Sequence, residues 1–357
     1  MSVAQVYAAN LHSVVGVNGN VKTNFWGQTV SNPVAGSGFV ITDDGYILTN
    51  YHVIDGVEDL KVSFADGSSY DAVLVGGEAD NDIAVLKIEA DGLSPVTVGN
   101  SRNMQVGEQV VAIGNPLGEL TFTLTAGYIS ALDREITMSG GTAINVLQTD
   151  AAINSGNSGG PLFNLYGECI GIVNAKYSNN GSSDASIEGI GFAIPIHDVV
   201  DMVADIMAHG YVTGKPFLGV TVEDVDAAAK QHGIPAGVVL QAVAPGLAAG
   251  KGGLREGDIL TSINGAALDS SDSLTEALEQ YGAGETVTFS VYRDGKSLSV
   301  PVKLDERNNE TQTALENYII QKQAAEQQKQ PSTQHIPTMP GSDFFPRNWL
   351  WEHFFPS

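Results

Sequence analysis

From residue 1 to about 195 the apolar positions fall in short β-rich runs, among them SGFVITDDGYILTN, DLKVSFADGSSYDAVLVG and DIAVLKIEA, broken by Gly, Asn and Asp. Thr-Asp-Asp-Gly and Ala-Asp-Gly between such runs are hairpin signals. Regular short strands with this punctuation predict a β-barrel or sandwich. Helical spacing of three and four is scarce until IHDVVDMVADIMAHG, where Gly210 is a plausible stop.

Near residue 214 the texture changes. KPFLGVTVED, GVVLQAV, GDILTSING and ETVTFSVYRDG read as strands. DVDAAAKQHG reads as a short helix, and SSDSLTEALEQYG as a helix with a Ser start and a Gly stop. Together they predict a compact α+β unit. From about residue 307 the chain turns polar, and NNETQTALENYIIQKQAAEQQKQPSTQ reads as a linker or weak helix. The final DFFPRNWLWEHFFPS is dense in Phe and Trp. It fits an internal ligand for a groove or cleft, a docking segment for a partner or membrane surface, or a strand or turn packed on its own domain. The expected division is 1–210, 214–306 and a tail at 307–357.

Charge narrows the partners. Seventeen basic residues against 41 acidic give a net charge of -24, a field that repels phosphate backbones, so no nucleic-acid partner is expected. The single cysteine, Cys169, excludes an intrachain disulfide. No apolar run is long enough for a transmembrane helix. MSVAQVYAAN lacks a basic start followed by an apolar run, so no signal peptide is expected in it. Either the protein is cytoplasmic or a targeting segment has been removed. No GxxxxGK[ST] sequence is present to bind ATP, and no cofactor or metal is expected.

Candidate chemistry begins at GNSGGP, residues 156–161. A serine hydroxyl is a weak nucleophile until a base stands beside it. A glycine-rich turn leaves the Oγ open and lets backbone N–H groups converge on a developing oxyanion. Ser158 is the candidate nucleophile, with Gly156, Asn157 and Ser158 as the oxyanion-hole segment and the Gly156 and Ser158 N–H groups as its donors. Taken alone, the motif also fits an ordinary Gly-rich turn. Of seven histidines, His52 in ILTNYHVI lies at the end of a strand run. His12, His197, His209, His232, His335 and His353 lie in helical, terminal or loop contexts. Asp82 in NDIAVLKI sits where a strand starts and can accept from the far ring nitrogen of His52, with Asp80 as its local competitor. The order His, Asp, Ser is that of chymotrypsin, not of subtilisin or the α/β-hydrolases.

GSGFVITDDGYILTNYHVIDG, NDIAVLKI, VGEQVVAIGNPLG, TAGYISAL and LQTDAAINSGNSGGPLFN together resemble the HtrA/DegP-type serine proteases over about residues 3–305. The resemblance implies a mainly β chain, a trypsin-like double antiparallel β-barrel followed by a small α+β PDZ domain. It places the base on His52, the orienting acid on Asp82 and the nucleophile on Ser158. FLGV (Phe217, Leu218, Gly219 and Val220) corresponds to the PDZ carboxylate loop, and the helix around Leu274 to Leu278 to the other wall of a peptide groove. It further implies a homotrimer with Tyr7 near the contact, a cell-envelope or extracytoplasmic location, and a role in protein quality control. Four features depart from the family's commonest form: one PDZ unit rather than two, a short NGNVKTNFWGQTVSNPVAG segment, Ser155 before GNSGG, and the aromatic tail.

In trypsin-like proteases the residue six before the nucleophile lies at the base of the S1 pocket. Here it is Ala152, followed by Ile153, and no acid stands there to select a basic side chain. Small aliphatic P1 residues are therefore expected. Such residues are buried in folded proteins, so the expected substrates are unfolded or misfolded chains, with C-terminal or extended peptides bound at the PDZ unit. A non-proteolytic chaperone or PDZ-based binding protein is the alternative. The intact triad positions speak against it.

Overall fold

The computed structural model describes residues 1–25, 28–115, 122–137, 143–154, 156–175 and 189–329. The chain forms two compact units, Met1–Glu316 and Asn317–Ser357. The aromatic tail lies outside the described residues. The chain opens with a helix that the strand-like reading of this region did not foresee. In α1 (Val3–Asn10), Ser2 and Gln5 form a reciprocal capping box, which satisfies two otherwise orphaned N–H groups.

A first barrel follows, built from β1 (Val14–Phe25), β2 (Gln28–Val40), β3 (Tyr46–Thr49), β4 (Val57–Phe64), β5 (Ser69–Glu78) and β6 (Ile83–Ile88). It closes in the order β1-β2-β3-β6-β5-β4, with β4 pairing back on β1. The Thr-Asp-Asp-Gly turn joins β2 to β3, and Gly45 takes φ 107° there, a conformation open to glycine. The NGNVKTNFWGQTVSNPVAG segment extends the β1–β2 hairpin, paired as far as Phe25 with Gln28. Between β3 and β4 lies a single helical turn, α2 (Tyr51–Ile54).

The second barrel uses β7 (Thr97–Val98), β8 (Gln109–Gly114), β9 (Thr123–Thr137), β10 (Ala143–Thr149), β11 (Pro161–Asn164), β12 (Glu168–Asn174) and β13 (Gly191–Pro195). The order β11-β8-β9-β10-β13-β12 closes through β11–β12, and β7 adds to β12 in parallel. Fully buried Val, Ile, Leu and Phe fill both barrels. The largest core cluster crosses the seam, joining Phe39, Leu48 and Ile83 to Ile113, Phe163 and Ile172. Helix α3 (Ile196–His209) lays Ile196, Val199, Val203 and Ile206 on that cluster and ends at Gly210 in the left-handed region.

The predicted α+β unit begins with β14 (Pro216–Phe217) and β15 (Val220–Asp224), continues through α4 (Ala227–Gln231), β16 (Val238–Val243), α5 (Ala248–Lys251), β17 (Ile259–Ile263), β18 (Ala266–Ala267), α6 (Ser271–Leu278), β19 (Thr286–Arg293) and β20 (Lys296–Lys303), and ends at β21 (Asp305–Glu306). The sheet runs β15-β16-β17-β19-β20, with β18 on β17. A separate core, from Leu218 and Leu240 to Leu274, Phe289 and Val302, holds it together. KPFLGVTVED is one strand in the pattern but two in the fold, divided at Leu218 and Gly219. Its first and last strands pair with each other: Pro216 faces Glu306, Phe217 faces Asp305, and the Arg307 N–H donates to the Lys215 carbonyl at 2.8 Å. The polar stretch beyond is α7 (Asn309–Lys329), a helix rather than a linker. No helix among the described residues is long and apolar enough to cross a membrane.

Candidate active site

The barrel seam brings together three residues separated by up to 106 positions. His52 sits in α2, Asp82 immediately precedes β6, and Ser158 lies in the turn before β11. The Asp82 Oδ2 atom is 2.7 Å from His52 Nδ1, and His52 Nε2 is 2.8 Å from Ser158 Oγ. A carboxylate only accepts, so the Nδ1 proton faces Asp82 and Nε2 is left as an acceptor for the serine hydroxyl. Asp82 is 2% and Ser158 1% exposed, which keeps water from competing with these bonds.

Two further donors fix the carboxylate. Asn174 Nδ2 donates to Asp82 Oδ2 at 2.8 Å, and the His52 backbone N–H donates to Oδ1 at 2.9 Å. The second bond is a helix cap supplied from another element. Asp82 closes the N-terminus of the helical turn that carries its own histidine. Asp82 also has φ 52°, a region that aspartate tolerates better than most residues. Asp80, the competitor in the sequence, faces elsewhere. It pairs with Arg307, while Lys215 and Arg307 lie 3.3 and 3.4 Å from Glu78. Burial opposes ionisation of Asp80, but the Arg307 and Lys215 charges outweigh it and hold its carboxyl below the usual range. Asn174 and this ion-pair cluster were not found by sequence reasoning. Arg307 directly follows the acidic pair Asp305 and Glu306 in the chain, so no local pattern pointed to a distant partner.

The turn carrying Ser158, the candidate nucleophile, is braced from several sides. The Ser37 N–H donates to the Ser158 carbonyl at 2.9 Å, and Ser37 Oγ donates to the Gly156 carbonyl at 2.7 Å. Gly159 has φ 83°, and a Cβ there would stand 2.3 Å from the Ser37 carbonyl oxygen. Glycine is therefore required for the turn to approach β2 so closely. Asn157 works on the loop itself. Its N–H donates to the Asn154 carbonyl, its Nδ2 to the Ala152 carbonyl, and its Oδ1 accepts from the Asn154 N–H. Of the expected oxyanion segment, Asn157 is thus a brace rather than a free donor. The Gly156 N–H lies 3.2 Å from Asn154 Oδ1.

Ala152 is exposed, and Ile153 is half-buried against the core cluster that includes Leu147 and Ala193. Ile153 lies over Gly191, where a Cβ would meet its Cγ1 at 2.4 Å. Leu218 and Gly219 of the FLGV segment are buried, and Phe217 and Val220 half-buried. Gly219 has φ 78° and packs on Leu247. Edge strand β15 presents Val220 and Val222 beside Leu274 and Leu278 of α6. Asp224 ties the two elements by accepting from the Ser271 N–H at 2.6 Å. No cluster of three or more metal-ligating side chains occurs among the described residues. A groove of about 1020 Å³ on the first barrel, lined by Asn18, Pro33, Lys61 and Val73, includes no triad residue.

Two closed barrels with an Asp-His-Ser chain at their seam define a trypsin-like serine protease. Residues 36–172 match the trypsin-like peptidase domain and residues 216–304 the PDZ domain. The chain is 38% identical over 284 residues to "Serine protease Do-like HtrA" of Lactococcus lactis subsp. cremoris, covering 76% of this chain and 70% of that protein. It is 42% identical over 292 residues to "Protease Do-like 1, chloroplastic" of Arabidopsis thaliana, covering 78% of this chain and 65% of that protein. Among solved structures, the HtrA-type protease AlgW with a decapeptide superposes with a TM-score of 0.60 at 30% identity, covering 86% of this chain and 99% of that one. The serine endoprotease from Yersinia pestis gives 0.58 at 32%, also covering 86% and 99%. The chain belongs to the HtrA/DegP family of PDZ-containing serine proteases.

Proposed function

We propose that this protein is an ATP-independent serine endopeptidase that cleaves unfolded or misfolded proteins after small aliphatic residues. The observation that carries this reading is the unbroken bond chain from Asp82 through His52 to Ser158. His52 Nε2 takes the Ser158 proton as Oγ attacks the peptide carbonyl, then returns a proton to the leaving amine. Asp82 holds the required tautomer and stabilises the imidazolium. The N–H groups of Gly156 and Ser158 receive the oxyanion, for which Gly156 must exchange its Asn154 partner. That engaged N–H supports a resting enzyme whose loop is completed by substrate or by a ligand elsewhere.

Ala152 and Ile153 shape the S1 pocket, and the apolar side chain of Ile153 over Gly191 suits a short aliphatic P1 residue. Residues 1–210 form the protease, 214–306 the PDZ unit and 307–357 a polar and aromatic extension. A C-terminal or extended peptide adds to the edge of β15, with its carboxylate at Phe217, Leu218, Gly219 and Val220. Relatives named periplasmic and chloroplastic support an extracytoplasmic, quality-control setting, and the family supports a homotrimer. The test is casein hydrolysis by the wild type and Ser158→Ala, with cleavage sites mapped by mass spectrometry. Loss of a triad nucleophile lowers kcat by about 10⁶. Wild-type cleavage after Val, Ala or Leu that disappears in the variant is the expected result. Equal cleavage by both refutes the nucleophile, and cleavage after Lys or Arg refutes the pocket. Binding of unfolded casein without cleavage, persisting when C-terminal peptides are added, identifies a chaperone instead.

A further inference from the structure

Asn50 occupies the N-cap of α2, where an asparagine side chain ordinarily accepts from the N–H two or three residues on. Here it makes no such bond, although its backbone is in the extended conformation a cap requires. The His52 N–H that it would serve is taken by Asp82 Oδ1. Asn50 is fully buried, and its side chain turns inward. Nδ2 donates to the Asp82 backbone carbonyl at 2.9 Å, and Ser158 Oγ lies 3.4 Å from Oδ1 as a donor. The Gly159 turn brings the nucleophile within reach, since a Cβ on Gly159 would stand 3.0 Å from the Asn50 nitrogen.

Resting on the triad reading above, we propose that Asn50 is a positioning residue that links two triad members, Asp82 and Ser158, from the N-cap of the helical turn that carries the third. Its Nδ2 pins the Asp82 carbonyl and so maintains the left-handed backbone that aims the carboxylate at His52. Its Oδ1 offers the one Ser158 hydroxyl proton an alternative acceptor to His52 Nε2, keeping Oγ at the seam between turnovers. Asp82 and Asn50 have in effect exchanged duties, the acid capping the helix while the cap residue orients the acid. The amide is matched to this task because one end must donate and the other accept, at a separation that a serine cannot span.

Two variants separate positioning from capping. Asn50→Leu keeps the branching of the side chain and removes both polar ends. Asn50→Ser keeps a residue favoured at N-caps but reaches neither target. Each is compared with the wild type for thermal stability, for kcat and KM on fluorescent casein, and for the rate at which a fluorophosphonate modifies Ser158. Displacement of reacting groups by a fraction of an ångström to an ångström lowers turnover by roughly 10²-fold. The expected result is that both variants lose about 10²-fold in kcat and in labelling rate with KM within about twofold, while Asn50→Ser melts close to the wild type. If Asn50→Ser recovers kcat to within about threefold of the wild type, Asn50 is a cap and the proposal is overturned. Variants that lose activity only in proportion to lost folded protein also overturn it. A wild type that neither cleaves casein nor labels at Ser158 removes the triad reading, and this inference with it.

Discussion

Replacing Asp82 with asparagine isolates the electrostatic part of the triad. The backbone should tolerate it, because asparagine is among the residues that accept φ near 52°. The side chain should not. Oδ2 accepts from His52 Nδ1 and Asn174 Nδ2, and Oδ1 from the His52 N–H. An amide offers one acceptor and one donor in place of two acceptors. With its NH₂ toward Oδ1's position it opposes the His52 N–H. With its NH₂ toward Oδ2's position it opposes Asn174 and stabilises the tautomer whose Nε2 carries the proton, so that Ser158 loses its base. Either way one buried donor goes unmet, at about 1–3 kcal/mol of stability. The tautomer error is the larger effect on catalysis, a fall in kcat of about 10⁴, or about 5.5 kcal/mol of barrier. The assay is kcat on fluorescent casein at pH 7.5, with folding checked by thermal melting. A variant within tenfold of wild-type kcat would refute the assigned tautomer and with it the role of Asp82.

Two other outcomes follow from the charges and the thiol. Arg307→Ala leaves Asp80 and the 5%-exposed Glu78 short of a cation. Breaking a buried pair costs about 3–5 kcal/mol, and the 26% exposure of the Arg307 side chain brings the expected loss to about 1–3 kcal/mol by urea unfolding at pH 7. Because the Asp80 carboxyl is held below its ordinary value, its stabilisation is present above the unfolded value near 4 and is lost as pH falls through the folded one. The wild type and variant should therefore converge in acid, and a gap that widens below pH 4 would contradict the assignment. Cys169 is fully buried, and burial pushes its thiol up to about 12. Its thiolate is then on the order of 10⁻⁴ of the population at pH 8. Ellman's reagent should find no thiol in the native protein and one after guanidinium unfolding, and rapid native labelling would contradict the packing of β12.

What the sequence disclosed followed the reach of each signal. The Gly-rich turn, the histidine after a strand run and the aspartate before an apolar run stand out because nucleophilic catalysis calls for those residue types, and their order, one of several the chemistry allows, is that of chymotrypsin. The α3 helix and its Gly210 stop were legible from periodicity alone. Helix α1 was not, because VAQVYAAN is too short to separate three-four spacing from alternation, and only the Ser2–Gln5 box marks it. The α7 segment reads as linker or weak helix because its polar composition lacks an apolar stripe. Asn50 and Asn174 were illegible for another reason. A buried asparagine looks the same in a sequence whether it caps a turn or orients an acid, and only three-dimensional neighbours tell which. The Lys215–Glu78 and Arg307–Asp80 pairs join positions more than 130 apart, a separation no local pattern records.

The pairing of β14 with β21 makes the whole segment between them a cassette. Partners across an antiparallel pair have Cα atoms about 4.5–5.5 Å apart, against 3.8 Å for consecutive residues, so the segment leaves and re-enters the chain through nearly the same point. Excising residues 216–306 requires only a turn of two or three residues to reconnect Lys215 to Arg307. By the same geometry, any foreign recognition module whose own ends lie about 5 Å apart can be spliced there without lengthening or straining the flanking chain. The PDZ unit of this protein is thus exchangeable in a way that the trypsin-like unit, whose two barrels share one core, is not.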